Sequence, residues 1–301
     1  MSTSSRLTEV FEKARKNPIP FDDRSRFILF SDVHRGDNSW ADEFARNQTI
    51  YFYALKHYFK KHFTYIELGD GDELYNNKLF SYIFEAHSHI FWLIKRFYDA
   101  RPTRFYMLYG NHDIQRADPS IVAKTLCTSY YDQKLKREVP LLPDIRVYAG
   151  LVLKHTPTGG EIFLVHGHQG DLFNDRLWKI GCYLSRTLWR PLELLGFTQP
   201  ISPARDNTKR VKIEKRIQAW IRNEDQPLIS GHTHKPSFAQ KGEIPYFNTG
   251  SCIHPRGITG IEIENGNMVL IKWWVAPDRY GRLCVTREEL DKPRTVASLF
   301  Q

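Results

Sequence analysis

The sequence predicts a layered α/β protein. Short apolar runs alternate with longer amphipathic stretches along the 301 residues, and clusters of Gly, His, Asp and Asn follow several of the runs. Strands buried between layers have such short apolar runs, whereas helices that cover a sheet have the longer amphipathic stretches. The apolar content of 41% is enough for one large core, and no internal repeat is present. We therefore expect a single domain over residues 1–301.

Three strands and two helices are predicted in the first half of the chain. The strands are the apolar runs Phe27–Phe30, Thr64–Leu68 and Arg104–Tyr109. The stretches between them, Ala41–His62 and Lys78–Tyr98, are long enough for helices. This alternation is what a layered α/β fold requires.

The second half of the chain is richer in strands. Short apolar or β-branched runs predict strands at Ile145–Ala149, Leu151–His155, Glu161–Val165, Leu228–Ser230, Ile244–Asn248, Gly257–Glu264 and Asn267–Trp274. Asn265-Gly266 favours a tight hairpin turn between the last two strands.

Five polar clusters follow predicted strands, where open α/β sheets place their ligand-binding loops. The clusters are Asp32-Val33-His34, Gly69-Asp70, Gly110-Asn111-His112-Asp113, His166 and Gly231-His232-Thr233-His234. A spacing of two, as between His232 and His234, points both side chains to the same side of an extended segment. The glycines that precede ligands allow sharp turns or close approach of the backbone.

These clusters resemble those of the calcineurin-like metallophosphoesterase superfamily, which run D-x-H, GD, GNH with an acid after it, H, and GHxH in this order. All five blocks are intact, and the resemblance extends from Arg26 to Ser251, including Asn248-Thr249-Gly250-Ser251. The resemblance implies a four-layer αββα sandwich, in which two packed mixed β-sheets are flanked by helices. It also implies hydrolysis of a phosphoester with two divalent metal ions.

The resemblance implies a role for each matching residue. The first metal would be held by Asp32, His34, Asp70 and His234. The second would be held by Asp70, Asn111, His166 and His232, so that Asp70 bridges the two ions. His112 would act as hydrogen-bond donor or general acid at the phosphate or the leaving-group oxygen, with Asp113 holding its ring.

Two divalent ions suit this chemistry. At a separation of ~3.5 to 4 Å they neutralise charge on the phosphoryl oxygens and lower the pKa of bound water toward ~7. A hydroxide that bridges both ions then lies ready for in-line attack on phosphorus. Imidazole suits zinc, iron and other transition ions and carboxylate suits manganese, so the mixed ligand set leaves the metal undecided. Manganese is the expected ion, with iron or zinc as alternatives.

Residues next to the clusters extend the candidate site. Arg35 and Arg116 are expected to add bidentate phosphate contacts. His168 and Asp171 lie close to a ligand in sequence and either contact substrate or have structural roles. Asp72 leaves a similar choice between a site role and turn formation.

The formal charge of +9 is concentrated in one segment, since residues 172–222 contain eleven Lys and Arg but four Asp and Glu. We predict a helical insertion over residues 171–226. The apolar face of its first helix comprises Phe173, Leu177, Ile180, Leu184 and Leu188, and that of a second helix after Asn207 comprises Ile213, Ile217, Trp220 and Ile221. Either these faces pack on the domain, or the insertion caps the metals.

The position of this insertion is similar to that in UDP-2,3-diacylglucosamine diphosphatases, whose cap takes up the acyl chains of a lipid A precursor. That likeness implies an amphiphilic substrate and peripheral contact with an anionic membrane through the basic segment. Those enzymes typically have arginine where this chain has His112.

Several functions fit these motifs. The leading one is hydrolysis of a phosphodiester or diphosphate that carries a hydrophobic or nucleotide portion. A phosphomonoesterase, such as a serine/threonine protein phosphatase, is the enzymatic alternative, and a nuclease that uses the basic segment ranks below it. A retromer subunit that shares the fold but has lost the catalytic constellation supplies the non-enzyme alternative, a protein-binding scaffold.

The sequence predicts a cytoplasmic protein. It contains neither a signal peptide nor an apolar run of ~18 residues that would span a bilayer. The four cysteines are scattered, so no thiolate metal site or redox motif is indicated.

Overall fold

A computed structural model describes residues 2–169, 182–183, 185–189 and 207–301. The described α-helices are α1 (Thr3–Ala14), α2 (Gln48–Lys60), α3 (Phe80–Tyr98), α4 (Pro119–Thr125) and α5 (Asn207–Glu224). Short 3-10 helices lie at Glu43–Arg46, Ile114–Ala117 and Val296–Phe300, and a π-helical turn lies at Ser185–Trp189.

The described strands form two large sheets and one hairpin. Sheet I has the order β1 (Ile19–Phe21), β8 (Gly150–His155), β9 (Glu161–Val165), β10 (Leu228–Ser230), β12 (Tyr246–Asn248), β11 (Ser237–Phe238). Sheet II has the order β15 (Leu283–Glu289), β14 (Asn267–Pro277), β13 (Ile258–Glu264), β2 (Phe27–Phe30), β3 (Thr64–Leu68), β4 (Phe105–Leu108), β7 (Val147–Tyr148), and β16 (Arg294–Thr295) pairs with β14. The hairpin consists of β5 (Ser129–Asp132) and β6 (Arg137–Pro140).

Parallel pairing aligns the strands that precede the polar clusters. In sheet II, β2 pairs parallel with β3, and β3 pairs parallel with β4. In sheet I, β9 pairs parallel with β10, and β10 pairs parallel with β12. Parallel neighbours end at the same edge of a sheet, so the clusters of each sheet are gathered at one edge.

Side-chain alternation along the strands builds four layers. In β2, Leu29 faces an apolar core between the two sheets, whereas Ile28 faces a second core shared with α2 and α3. In β9, Leu164 faces the inter-sheet core, whereas Phe163 faces a third core shared with α1 and α5. Successive side chains of a strand point to opposite faces, so one strand serves two cores. The predicted αββα sandwich is confirmed.

Several predicted bounds agree with the structure, and one predicted helix is divided. Strands β2, β3, β9 and β10 begin and end where the sequence places them. The helix predicted over 41–62 is split at Asn47, because its side-chain Nδ2 donates to Cys252 O and His254 O, at 2.9 and 2.7 Å. This bond to a distant loop leaves no signal in local periodicity.

Helix α5 belongs to the outer layer beside sheet I. Ile217, Trp220 and Ile221 are buried against α1 and the sheet, and Trp220 Nε1 donates to Thr8 Oγ1 over 2.9 Å. The first alternative, packing on the domain, therefore holds for this helix. The side chains of the apolar face predicted from Phe173 to Leu188 lie outside the described residues, so the cap over residues 171–226 stays a prediction. Among the helices described, none has the length and apolar character needed to cross a bilayer.

Replacing Trp220 with alanine is expected to lower the free energy of unfolding by about 3–5 kcal/mol, because it leaves a cavity between α5 and α1. Urea unfolding followed by circular dichroism measures this loss. Lys215→Ala, an exposed position on the same helix, is the control and should change the value by less than about 0.5 kcal/mol. Equal effects of the two substitutions would contradict the packing described.

Candidate metal centre

The five polar clusters meet where the carboxyl ends of the parallel strands of sheet I lie next to those of sheet II. Hydrogen bonds join the two edges directly. His232 N donates to Asp32 Oδ2 over 2.9 Å, and His166 Nδ1 donates to Leu68 O over 2.9 Å. Ligand candidates from both sheets are thereby held around one small volume.

One group of ligand atoms comprises Asp32, His34 and His234, all lying within 4.8 Å of one another. Asp32 Oδ1 is 3.0 Å from His234 Nε2, and the Nε2 atoms of His34 and His234 are 3.3 Å apart. A carboxylate oxygen and two imidazole nitrogens that converge in this way form a common divalent-metal ligand set.

A second group comprises Asp70, His166 and His232. Asp70 Oδ2 lies 3.1 Å from His166 Nε2 and 3.8 Å from His34 Nε2, so this carboxylate stands between the two groups. Because His166 Nδ1 donates to Leu68 O, the neutral ring presents the lone pair of Nε2 to the centre.

Four buried polar atoms of the ligand candidates have no hydrogen-bond partner among the described residues. They are Asp32 Oδ1, Asn111 Oδ1, His166 Nε2 and His232 Nε2. Asp32 Oδ1 and His166 Nε2 lie at ion-pair distance from His234 and Asp70, whereas leaving Asn111 Oδ1 and His232 Nε2 buried without a partner costs about 1–3 kcal/mol each. A bound cation satisfies oxygen and imidazole lone pairs together, so the residues present fit a metal site.

The backbone at the ligand candidates is strained. Asp32, His34, Asp70, His232 and His234 have φ angles of 50°, 50°, 52°, 67° and 56°. Left-handed backbone at residues other than glycine costs about 1–3 kcal/mol and is concentrated at functional sites. The extended segment predicted for these pairs is therefore wrong, because bonds between neighbouring loops, such as His34 N to Asp70 O at 2.9 Å, bend the chain.

Glycine is required where loops touch the ligands. A Cβ on Gly110 would lie 2.1 Å from Asp70 Oδ1, and one on Gly231 would lie 2.5 Å from Asp32 Oδ2. Both distances are too short for any side chain. The close approach predicted at these glycines is confirmed.

Comparison with known proteins assigns the family. Residues 25–249 match the family model described as calcineurin-like phosphoesterase. The chain belongs to this family. Its members' activity and the ligand groups above together support metal-dependent hydrolysis of phosphoesters. No curated protein matches the chain.

Several solved structures are similar to this chain at low identity. Vps29 of Chaetomium thermophilum is 11% identical, with 91% of this chain and 98% of that chain covered and a TM-score of 0.38. A cold-active protein-tyrosine phosphatase of a Shewanella species is 12% identical, with 91% and 82% covered and a TM-score of 0.38. The putative 5′-nucleotidase of Staphylococcus aureus is 14% identical, with 88% and 53% covered and a TM-score of 0.37.

Glu73 is a site residue that the sequence did not reveal. Its Oε2 lies 2.9 Å from His34 Nδ1, and its Oε1 lies 2.9 Å from His112 Nδ1. One carboxylate thereby orients a ligand candidate and the proposed general acid. Glu73 follows Asp70 by three residues in a loop, and its contacts depend on chain crossings that have no local pattern.

The prediction that Asp113 holds the His112 ring is corrected by these contacts. Asp113 Oδ1 accepts from Gly110 N over 2.6 Å, and Oδ2 accepts from Gly71 N over 3.1 Å. Its carboxylate therefore joins the two loops that carry Asp70 and Asn111, and Glu73 takes the place beside His112.

The two arginines expected to contact phosphate are buried in ion pairs. Arg35 donates to both Glu67 oxygens, at 2.7 and 2.8 Å, and to Asp72 at 2.6 Å. Arg116 pairs with Asp72 and Asp113. Arg35 and Arg116 are 0% and 1% exposed, so a phosphate contact is excluded and the prediction is wrong for both. Asp72 bridges the two guanidinium groups and has a structural role.

His168 lies beside the second group of ligands. Its ring is 5.5 Å from that of His166 and 6.4 Å from that of His232, and the side chain is buried. Substrate contact by His168 stays a prediction. Asp171 lies outside the described residues.

Electrostatics differ sharply between neighbouring imidazoles. Burial opposes protonation of His166, but the charges of Asp70 and Asp32 outweigh it and raise the pKa of His166 to about 9. Burial, together with the charge of His166, lowers the pKa of His232 to about 3. Without metal, the ring of His166 is therefore positively charged at neutral pH, whereas the ring of His232 is neutral.

Metal binding at neutral pH is expected to release protons, since only neutral imidazole coordinates a metal. Below a pKa of about 9 for His166, the apparent metal affinity should rise with pH by about tenfold per unit for each proton released. Calorimetric titration with Mn²⁺ in buffers of different ionisation enthalpy measures the proton count. His155→Gln, a buried histidine bonded to Thr158, is the control and should leave the count unchanged. Binding without proton release would show that His166 is not a ligand.

Glu73→Gln is expected to lower activity on any phosphoester substrate about 10–100-fold, because neutral glutamine holds the rings of His34 and His112 less firmly. Steady-state kinetics with saturating metal measure the loss. Glu85→Gln removes an exposed carboxylate from α3 and is the control. Retention of full activity by Glu73→Gln would exclude an orienting role.

Proposed function

We propose that this protein hydrolyses a phosphodiester or diphosphate with two divalent metal ions held at the touching sheet edges. The observation that carries the proposal is the set of four buried ligand atoms without hydrogen-bond partners among the described residues. Membership of the calcineurin-like phosphoesterase family supports the reaction class. A scaffold that only binds proteins would leave this complete ligand set, with its strained backbone, unexplained.

Each metal has a set of residues that would hold it. The first ion would be held by Asp32, His34 and His234 together with Asp70, and the second by Asp70, His166 and His232 together with Asn111; the convergence of the two histidine-containing groups supports these sets. When bound, the two ions supply positive charge for the phosphoryl oxygens and acidify a water as the nucleophile. Manganese is the proposed metal, with iron and zinc as alternatives that elemental analysis of the purified protein distinguishes.

His112 is the proposed proton donor to the leaving group. Its side chain is 29% exposed, in contrast to the buried His166 and His232, so it faces the side from which substrate arrives. Nδ1 is engaged by Glu73, which leaves Nε2 to face the substrate. Burial lowers the pKa of His112, but the charges of Glu73 and Asp70 outweigh it and raise the pKa, which favours the protonated form that a proton donor needs.

The basic segment bears on the substrate class. Exposed Lys212, Lys215 and Arg216 give α5 a positive surface, whereas its apolar face is buried in the domain. Contact of this helix with an anionic membrane or an amphiphilic substrate would therefore be electrostatic and weakened by salt. A substrate with an anionic or nucleotide portion suits this surface.

The deciding experiment compares hydrolysis of bis-p-nitrophenyl phosphate with that of p-nitrophenyl phosphate by the manganese-loaded protein. The diester is expected to be cleaved faster. Asp70→Ala should abolish activity because it removes the carboxylate between the ligand groups, and His112→Ala should lower kcat by about 10²–10⁴-fold. His155→Ala, which lies away from the centre, should retain activity.

Cleavage of the monoester alone would replace the diesterase proposal with the phosphomonoesterase alternative, including a serine/threonine protein phosphatase. If metal binds and neither ester is cleaved, lipid and nucleotide diphosphates are tested next. Failure of these as well would favour the scaffold.

A further inference from the structure

The basic segment reaches the candidate active site through one described turn. Arg186, in the π-helical turn Ser185–Trp189, donates from Nη2 to Leu74 O over 2.7 Å and from Nε to Tyr75 O over 3.1 Å. Ser185 Oγ also bonds the side chain of Asn76. Two consecutive residues of the basic segment thus hold three consecutive residues of the loop that follows Asp70.

This loop, residues 73–77, controls the surroundings of His112. Glu73 bonds His112 Nδ1, and the ring of Tyr75 lies 5.1 Å from the His112 ring at an angle of 42°. Within the loop, Asn76 N donates to Glu73 Oε1 over 3.1 Å, and the side chain of Asn77 donates to Glu73 O over 3.0 Å. The loop therefore touches His112 through a charge and through an aromatic ring.

Arg186 contributes bonds that this loop needs. Leu74 is 3% exposed, so its carbonyl depends on protein donors, which are Arg186 and Gln115 Nε2 at 3.0 Å. Hydrogen bonds from a charged donor are about twice as strong as those from a neutral donor. The guanidinium also fixes the carbonyl of Tyr75 with a second, differently directed bond, as its planar fork allows. A solvated charge on a basic surface would not make two bonds to adjacent carbonyls.

We infer that Arg186 is a positioning residue for departure of the leaving group. By holding residues 73–77 it keeps Glu73 and Tyr75 against His112, so that His112 Nε2 points to the oxygen that leaves phosphorus. This inference rests on the proposed function. This role distinguishes Arg186 from the exposed Lys and Arg side chains of α5, which face solvent.

A misplaced proton donor slows the hydrolysis of different substrates to different extents, depending on the leaving group. p-Nitrophenolate leaves without much help, whereas the more basic phenolate needs a proton or hydrogen bond as its bond to phosphorus breaks. The water that attacks and the bond that breaks are the same in both reactions. Loss of Arg186 should therefore lower kcat mainly for the ester with the poorer leaving group.

The test compares methyl phenyl phosphate with methyl p-nitrophenyl phosphate as substrates of the full-length, manganese-loaded protein. For Arg186→Gln, kcat on the phenyl ester is expected to fall at least about tenfold more than kcat on the p-nitrophenyl ester. Arg186→Lys, which can donate to one carbonyl, should recover part of the loss. Arg222→Gln removes the same charge from an exposed position near the end of α5 and should show no difference between the esters.

Other outcomes overturn the inference. Equal losses on both esters would show a general structural effect, and a rise in KM relieved by low salt would show direct binding of substrate by Arg186. If Arg186→Gln does not fold, Ser185→Ala loosens the same loop and must show the same preference in a weaker form. Absence of wild-type activity on every phosphoester contradicts the proposed function itself, whereas an active wild type with equal losses contradicts only the role of Arg186.

Discussion

The candidate ligands come from two different sheets, and the site depends on the contact between the carboxyl ends of those sheets. Asp32, Asp70 and Asn111 follow strands of sheet II, whereas His166 and His232 follow strands of sheet I. The apolar core between the sheets sets their separation, and the bond from His232 N to Asp32 Oδ2 fixes their edges. Because close-packed cores deform little, the packing of the core between the sheets also fixes the relative positions of the ligand candidates.

Below the ligands, a buried ion-pair network makes the loops rigid. Arg35 and Arg116 share Asp72, and they reach Glu67 and Asp113 on either side. Because removal of one partner would leave an uncompensated buried charge, at a cost of about 3–5 kcal/mol, the loops that carry these groups move little. Asp113 extends this rigidity to the ligand loops through backbone N–H groups. The strain at the ligands is tolerated because the surrounding contacts determine their positions.

Glu73 links the ligand candidates to the partly exposed ring of His112. Its carboxylate bonds His34, which points its other nitrogen into the centre, and His112, which is partly exposed. The loop that carries Glu73 is in turn held by Arg186. A continuous series of bonds therefore runs from the basic segment to the centre, and it explains why Arg186 is half-buried while Arg216 and Arg222 on α5 are exposed.

The sequence by itself determined the strands that precede the polar clusters, the helices α2 and α3 and the clusters themselves, because these depend on residues adjacent in the chain. It also predicted the glycines that pack against ligands. Only the tertiary structure decided the break at Asn47, the placement of Glu73 and the burial of Arg35 and Arg116, because each depends on residues distant in sequence. An arginine beside a motif has the same local sequence whether it faces phosphate or a buried carboxylate. The surrounding fold alone selects its partner.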